Sequence, residues 1–282
     1  MRILIIGSTS TIGMKLRTSC ARLGEIHTAG RKNADISLDL AKCSADHALP
    51  GEYDVLIHTA ADFGGNQPED LFRAEQVNTL GSLSVCNMAL KAKVKHLIYF
   101  STVSAAYTPQ DPFFGSYSLS KRHAEESVEL FCRMHQVPLT ILRPTQVYDD
   151  EGNCRRHQPF LYLIADLAQA GKDVSIWGSR DPVRNFIHLD DLAEIVVRII
   201  EQKMLGHFTC AFPRDVRISE VAAAAFSTFG KGGKVCFLRD KPAQPDLFSA
   251  RELRWYDALG LSPKIGIQEG FDRIRSFRES TR

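Results

Sequence analysis

Along the first 150 or so residues, short apolar runs alternate with longer stretches of helical period. Arg2–Ile6, Ile26–Ala29, Val55–Thr59, His96–Phe100 and Leu139–Leu142 are largely hydrophobic runs, each suited to a strand covered on both faces. Between them, Ile12–Leu23, Asp70–Ala92 and Ser118–Met134 carry apolar residues at helical spacing. Strands that alternate with helices predict a doubly wound parallel α/β sheet. The pattern loosens after Pro144. Residues 149–158 are polar and turn-rich, and beyond them helical periods dominate, in Pro159–Ala170, Asp190–Glu201, Ser219–Phe229 and Gln268–Phe277. The expected organisation is one unit over residues 1–148 and a smaller, mainly C-terminal part over 149–282. Some segments of the second are expected to return to the first.

Composition narrows the function. Thirty-five Lys and Arg against 33 Asp and Glu leave a formal charge of +2, too balanced for an electrostatic nucleic-acid or membrane-surface binder. No apolar run approaches the roughly 18–20 residues of a membrane span, and the N-terminus runs straight into a strand pattern without a signal h-region. The seven cysteines form no CxxC pair and suit reduced thiols in a cytoplasmic protein. The acidic turn Asp149–Glu151 has no further ligand at metal spacing, so no metal is expected.

The first strand runs into G-x-x-S-x-x-G, Gly7–Gly13. Gly7 lets the chain turn off the strand, and Gly13 lets the following helix pack close to the sheet. Backbone amides over Thr9, Ser10, Thr11 and Ile12, at a helix N-terminus, suit a pyrophosphate. Glycine loops alone are weak signals, but this one lies one strand in from the N-terminus with a helix behind it, the Rossmann arrangement. Ser10 stands where a third glycine is common, and its hydroxyl could donate to a phosphate. The second strand ends at Gly30, Arg31 and Lys32, where an acidic residue would mark NAD by accepting from the ribose hydroxyls. A guanidinium suits a 2′-phosphate instead, so NADP(H) is the preferred cofactor and NAD(H) the alternative. Read blandly, Arg31 and Lys32 are a solvated loop pair.

Tyr117 and Lys121 form the only Y-x-x-x-K in the chain, four apart in a helical segment and therefore on one face. A tyrosine titrates near ~10 and is a poor base at neutral pH unless a cation sits beside it. Lys121 is the expected cation, and Tyr117 the group that moves a hydroxyl proton.

Taken in order, these motifs resemble the extended short-chain dehydrogenases/reductases, the NAD-dependent epimerase/dehydratase family. The resemblance covers nearly the whole chain. Asp39 and Leu40 look like the acidic–aliphatic pair that contacts adenine. His58–Ala61 looks like the family's H-x-A-A, with Ala60 and Ala61 against the cofactor, and Val77 and Asn78 resemble its helix asparagine. Thr102, in Phe100–Ser104, stands at the catalytic Ser/Thr site. Leu142–Pro144 is similar to its nicotinamide-side turn, ending on Pro144, and Leu259–Pro263 and Ile267–Gly270 to its C-terminal ending. The resemblance implies a catalytic set of Thr102, Tyr117 and Lys121, with Lys121 also on the nicotinamide ribose. Arg184, in R-x-F-x-H-x-x-D over Arg184–Asp191, is implied to bind a substrate diphosphate, with Arg155 and Arg156 as helpers or solvated loop residues.

Two positions depart from the family pattern: Ser10, and Asp149 after Tyr148, where a glycine is usual. Where the family's sugar dehydratases carry an Asp–Glu pair after the threonine, this chain has Val103 and Ser104, and neither transfers protons at neutral pH. The expected activity is NADPH-dependent reduction of a 4-keto nucleotide sugar. Length leans the same way, 282 residues being short for the family's epimerases. The rivals are an NAD-using nucleotide-sugar 4-epimerase, a reductase of aromatic or steroid ketones, which Arg184 disfavours, and a catalytically inactive NADP-binding regulator. Members of that last kind usually lose the Tyr/Lys pair, which is kept here. No nucleic-acid or membrane partner is expected. A long helix such as Asp70–Ala92 could build a homodimer, by analogy only.

Overall fold

The computed structural model describes residues 1–44, 46–247 and 252–281. It divides into two compact units, Met1–Pro144 with Ala193–Thr209, and Thr145–Leu192 with Cys210–Arg282.

The first unit contains β1 (Arg2–Ile6), α1 (Thr11–Ser19), β2 (Glu25–Gly30), β3 (Ile36–Ser37), β4 (Val55–His58), α2 (Pro68–Ala74), α3 (Gly81–Lys91), β5 (His96–Phe100), α4 (Ser116–His135) and β6 (Leu139–Pro144). With strand Gly206–Cys210 they make a seven-stranded sheet in the order Gly206–Cys210, β6, β5, β4, β1, β2, β3. The registered pairings from β6 through β3 are all parallel. β1, β4 and β5 are four or five residues long and almost wholly buried, as strands covered on both faces must be. Register sets the site. Ile6 pairs with both Ala29 and His58, and His58 with Tyr99. The loops after β1, β2, β4 and β5 therefore leave one edge of the sheet, and strand order reverses there between β1 and β4, where open α/β sheets bind ligands.

The second unit pairs short strands two by two: Gln146–Tyr148 with Phe186–His188, Val183–Arg184 with Val216–Arg217, and Val174–Trp177 with Val235–Leu238. Its core gathers Tyr148, from the strand Gln146–Tyr148, with Leu161, Ile164, Val221, Phe271 and Ile274, from helices Pro159–Gln169, Ile218–Phe229 and Ile267–Ser280. Among the described residues no helix is long and apolar enough to cross a membrane.

The helical periods and the five main strands expected from the sequence are present, with two differences. The stretch expected as one helix over Asp70–Ala92 is α2, a π-helical turn Glu75–Leu80, and α3. The wide turn carries Asn78, buried at 1% exposure, and π-turns inside helices are often found at functional sites. The region beyond Pro144 is also richer in strand than its periodicity suggests, because runs of two to five residues are too short to show a period.

The seventh strand is approached through a buried polar tie. Thr140 on β6 is fully buried, lies 2.8 Å from His96 Nε2 and donates to the Met204 carbonyl at 2.5 Å. Burial holds the His96 imidazolium form off, down to about 4. Thr140→Val keeps the shape and orphans both partners. It should lower unfolding free energy by about 1–3 kcal/mol, read as a shifted urea midpoint at unchanged slope.

Candidate functional site

Ser10 is the N-cap of α1, accepting from Gly13 N at 2.9 Å, the usual use of a serine at that position. Its hydroxyl also donates to the Gly7 carbonyl at 2.9 Å and lies 2.8 Å from Thr59 Oγ1. The idea that this hydroxyl reaches a phosphate is corrected here: it closes the loop on itself. Gly7 has φ +105°, and a Cβ on it would lie 2.6 Å from Thr59 Oγ1 and 2.7 Å from Ala60 N. A Cβ on Gly13 would lie 2.2 Å from the Gly7 carbonyl oxygen. Both glycines are thus required by close approach, and the loop over Thr9, Thr11 and Ile12 is a built cradle at the N-terminus of a nine-residue helix. Those residues fit a dinucleotide pyrophosphate.

Arg31 and Lys32 are exposed beside this loop, since Ser8 Oγ donates to the Lys32 carbonyl at 3.2 Å. The nearest acid, Asp35, is turned away onto Thr28. It accepts from that residue's hydroxyl and amide at 2.8 Å each, and these bonds, the hydroxyl first, hold its carboxyl below the usual range. Asp39 caps the short turn Leu40–Lys42 through Ala41 N, at 3.2 Å, and Leu40 is buried. Ala60 and Ala61 follow β4, partly exposed, and Pro144 ends β6, buried. Asn78 is different. Its Oδ1 accepts from Asp62 N at 2.8 Å, and its Nδ2 donates to the Asp62 carbonyl at 2.8 Å and to Ser120 Oγ at 2.9 Å. Both N–H donors of the amide and one lone pair of its oxygen are engaged inside the fold, so Asn78 holds the loop at Asp62 to α4 and has no N–H left for the cofactor expected at it.

Thr102, Tyr117 and Lys121 meet at the ends of β5 and α4. Thr102 caps the turn Val103–Ala106, accepting from Ser104 N at 3.2 Å, and lies 3.1 Å from Ser104 Oγ. Tyr117, in the first turn of α4, is hydrogen-bonded to Thr102, and burial of its hydroxyl pushes the phenol up to about 12 against that bond. Lys121 is 2% exposed. Its ammonium donates to the Phe100 carbonyl at 2.6 Å and to Tyr99 Oη at 3.0 Å. Burial pushes it down to about 7, opposed by the charge of Glu125. The net shift of the Tyr117 phenol is upward, burial outweighing the hydrogen bond to Thr102, and the phenol is protonated at neutral pH. Tyr99 and Thr59, which hold Lys121 and the loop, were missed. Their signal was a lone hydroxyl at the end of an otherwise buried strand.

In the second unit Arg184 is 5% exposed. Its guanidinium donates to the carbonyls of Val183 and Pro245, both at 2.8 Å, and reaches Gln244 Oε1 at 3.4 Å. Gln244 also lines a cleft of about 510 Å³ with Phe160, Ile164, Trp177, Pro182 and Ile218 among its walls. His188 is a satisfied structural group, 2.8 Å from Asp150 Oδ1 and accepting from Asp190 N at 3.1 Å.

Residues 3–211 match the model of the NAD dependent epimerase/dehydratase family. The chain belongs to that family. GDP-L-fucose synthase of Escherichia coli is 23% identical to this family member, over 97% of this chain and 98% of that protein. A dTDP-4-dehydro-6-deoxy-D-allose reductase of a Streptomyces species is 24% identical over 70% and 65%. Among solved structures, UDP-glucose 4-epimerase of Thermus thermophilus in complex with NAD has the same fold, with a TM-score of 0.74 at 19% identity and 99% of each chain covered.

The buried lysine gives a pH signature. Unfolded, Lys121 titrates near about 10.4; folded, near about 7. Between these values the unfolded chain binds the extra proton, so burying Lys121 costs stability fully below pH ~7, and the cost is relieved as pH rises toward ~10. Relative to Lys121→Met, the parent should gain up to about 4–5 kcal/mol across that window. Urea midpoints of the two proteins through that range measure it. Parallel curves would contradict the assignment.

Proposed function

We propose that the protein is an NADPH-dependent reductase of 4-keto nucleotide sugars. The observation that carries this reading is the exposed Arg31 at the end of β2 beside the dinucleotide loop, with the nearby Asp35 engaged by Thr28. The Thr102–Tyr117–Lys121 cluster can move a proton in either direction and suits a reductase or a 4-epimerase, whereas NADPH is the cofactor that a reductase consumes. The name of the Streptomyces relative, a reductase of a dTDP-4-dehydro sugar, supports the same reaction class. The seven free cysteines support a reducing, cytoplasmic setting.

In this reading Gly7, Thr9, Ser10, Thr11, Ile12 and Gly13 hold the pyrophosphate by their backbone. Arg31 takes the 2′-phosphate, Asp39 and Leu40 the adenosine, and Ala60, Ala61 and Pro144 flank the nicotinamide half. Bound NADPH supplies a hydride to the carbonyl carbon. Thr102 hydrogen-bonds the carbonyl oxygen and aims it at Tyr117, whose phenol gives it a proton. Lys121 holds the ribose hydroxyls, and its charge favours the phenolate left on Tyr117. Arg184 is assigned to the diphosphate and the cleft beside Gln244 to the nucleoside. Reaching the diphosphate requires the Arg184 guanidinium to exchange a carbonyl partner for a stronger, charge-assisted one.

Two variants test this. Tyr117→Phe should leave NADPH affinity nearly intact and cut turnover by roughly 10²–10⁴-fold, measured as loss of reduced-nicotinamide absorbance with a panel of 4-keto nucleotide sugars. Near-normal turnover would falsify the assignment. Interconversion of gluco and galacto nucleotide sugars without net cofactor loss would identify an epimerase instead. In the parent, NADPH should bind more tightly than NADH by about 1–3 kcal/mol. Arg31→Ala should remove most of that difference with little change for NADH. Equal dissociation constants in the parent would reject the 2′-phosphate role.

A further inference from the structure

The loop after β4 carries a side chain that neither the dinucleotide cradle nor the Thr–Tyr–Lys cluster uses. Phe63 is 51% exposed, yet its ring is stacked on Tyr117, with centroids 5.0 Å apart and planes within 19°. A phenyl ring on a surface loop is ordinarily mobile, and this one is clamped on either side. Asp62 is bonded through both its backbone groups to Asn78, at 2.8 Å each. Its carboxylate accepts from Gly64 N at 2.8 Å and from Arg73 Nε at 2.7 Å. Ser116, next to Tyr117, accepts from Gly65 N at 3.0 Å and donates to the Gly65 carbonyl at 2.9 Å. Gly64 has φ +67°, and a Cβ there would lie 2.2 Å from Ser116 Oγ. The loop is therefore shaped to lie against α4, and the ring it presents is fixed.

About half of Phe63 is left accessible, with its ring against that of Tyr117. A large apolar surface held open and rigid next to a reacting group is how ligand sites present an anchor. A pyranose is polar at its rim and apolar on its C–H faces, so a phenyl wall accepts a face of the ring and leaves the rim oxygens to hydrogen-bonding groups such as Thr102. We propose that Phe63 is a specificity-determining residue, the fixed aromatic wall on which a C–H face of the reacting sugar packs beside Tyr117. The inference rests on the reading of Tyr117 as proton donor to a sugar carbonyl.

The test is steady-state kinetics of Phe63→Ala, Phe63→Leu and Phe63→Tyr beside the parent and Tyr117→Phe, with NADPH and UDP-, GDP- and dTDP-linked 4-keto hexoses. Phe63→Ala should raise KM for the sugar nucleotide by about 10–100-fold, with kcat within about threefold. NADPH affinity and melting temperature should stay unchanged. Phe63→Leu should fall between, and Phe63→Tyr, which keeps the ring, should restore KM. A fall in kcat at unchanged KM would mean the ring only steadies Tyr117, and it would overturn the proposal. So would an unchanged KM in a variant that melts like the parent. If Tyr117→Phe is inactive while Phe63→Ala keeps its KM, only this inference fails. If Tyr117→Phe keeps its turnover, or the parent turns over nothing in the panel, the reading beneath it fails as well.

Discussion

Burying the ammonium of Lys121 is the constraint around which the first unit is arranged. An ion taken out of water costs several kcal/mol unless hydrogen bonds and good geometry offset it. Here the offset comes from the last carbonyl of β5, on Phe100, and from the Tyr99 hydroxyl, with the ammonium also 4.5 Å from the centre of the Tyr99 ring. Tyr99 is itself buried and needs a partner, which is Ser82 on α3. Ser82 in turn lies 3.0 Å from His58 Nε2 at the end of β4. Burial holds His58 neutral, down to about 3. One buried cation thereby fixes α4 against β5, β5 against α3 and α3 against β4. The first turn of α4, carrying Tyr117, is delivered to Thr102 as a consequence.

A second pair sits one turn further along α4. Glu125 is 6% exposed and is gripped by Arg143, whose Nε lies 2.9 and 3.1 Å from the two carboxylate oxygens. Glu125 favours the charged form of Lys121. Arg143 stabilises the carboxylate and immediately precedes Pro144, so the same ion pair ties the end of β6 to the helix that bears Lys121. Buried pairs of this kind are weak stabilisers but strict about geometry, because either partner left alone is an uncompensated charge.

The architecture and the cluster were legible in the sequence for physical reasons. Runs such as Leu56–Ile57 and Leu97–Ile98 sit in strands covered on both faces, so every position must be apolar and the run stands out. The Tyr117–Lys121 spacing is readable because a helix repeats about every 3.6 residues. What stayed hidden depended on contacts far apart in sequence. Ser10 closes its loop through Thr59, 49 residues away. Tyr99 reaches Lys121 across 22, and Phe63 stacks on a residue in a different element. Ile36–Ser37 and the paired strands beyond Pro144 are too short to impose a period. The π-helical turn at Glu75–Leu80 is invisible because one extra residue in a turn hardly disturbs the apolar spacing.

The perturbed groups around Tyr117 share one cause, and it bears on how the reaction must run. Desolvation raises Tyr117 and lowers Lys121 and His58, so the enclosure favours neutral forms of all three. The same low dielectric that holds the phenol protonated penalises any new charge formed beside it. In the proposed reduction, an alkoxide left on the sugar would be such a charge. In that reaction a proton from Tyr117 removes the charge as it forms. The phenolate that results is favoured by the Lys121 ammonium one turn away on the same helix, and the burial that lowers Lys121 works against that help. A site built from exposed groups would have no such coupling, since water could supply the proton. The depth at which Lys121 is buried is thus a cost to the fold and also to the charge that favours the phenolate in the proposed reaction.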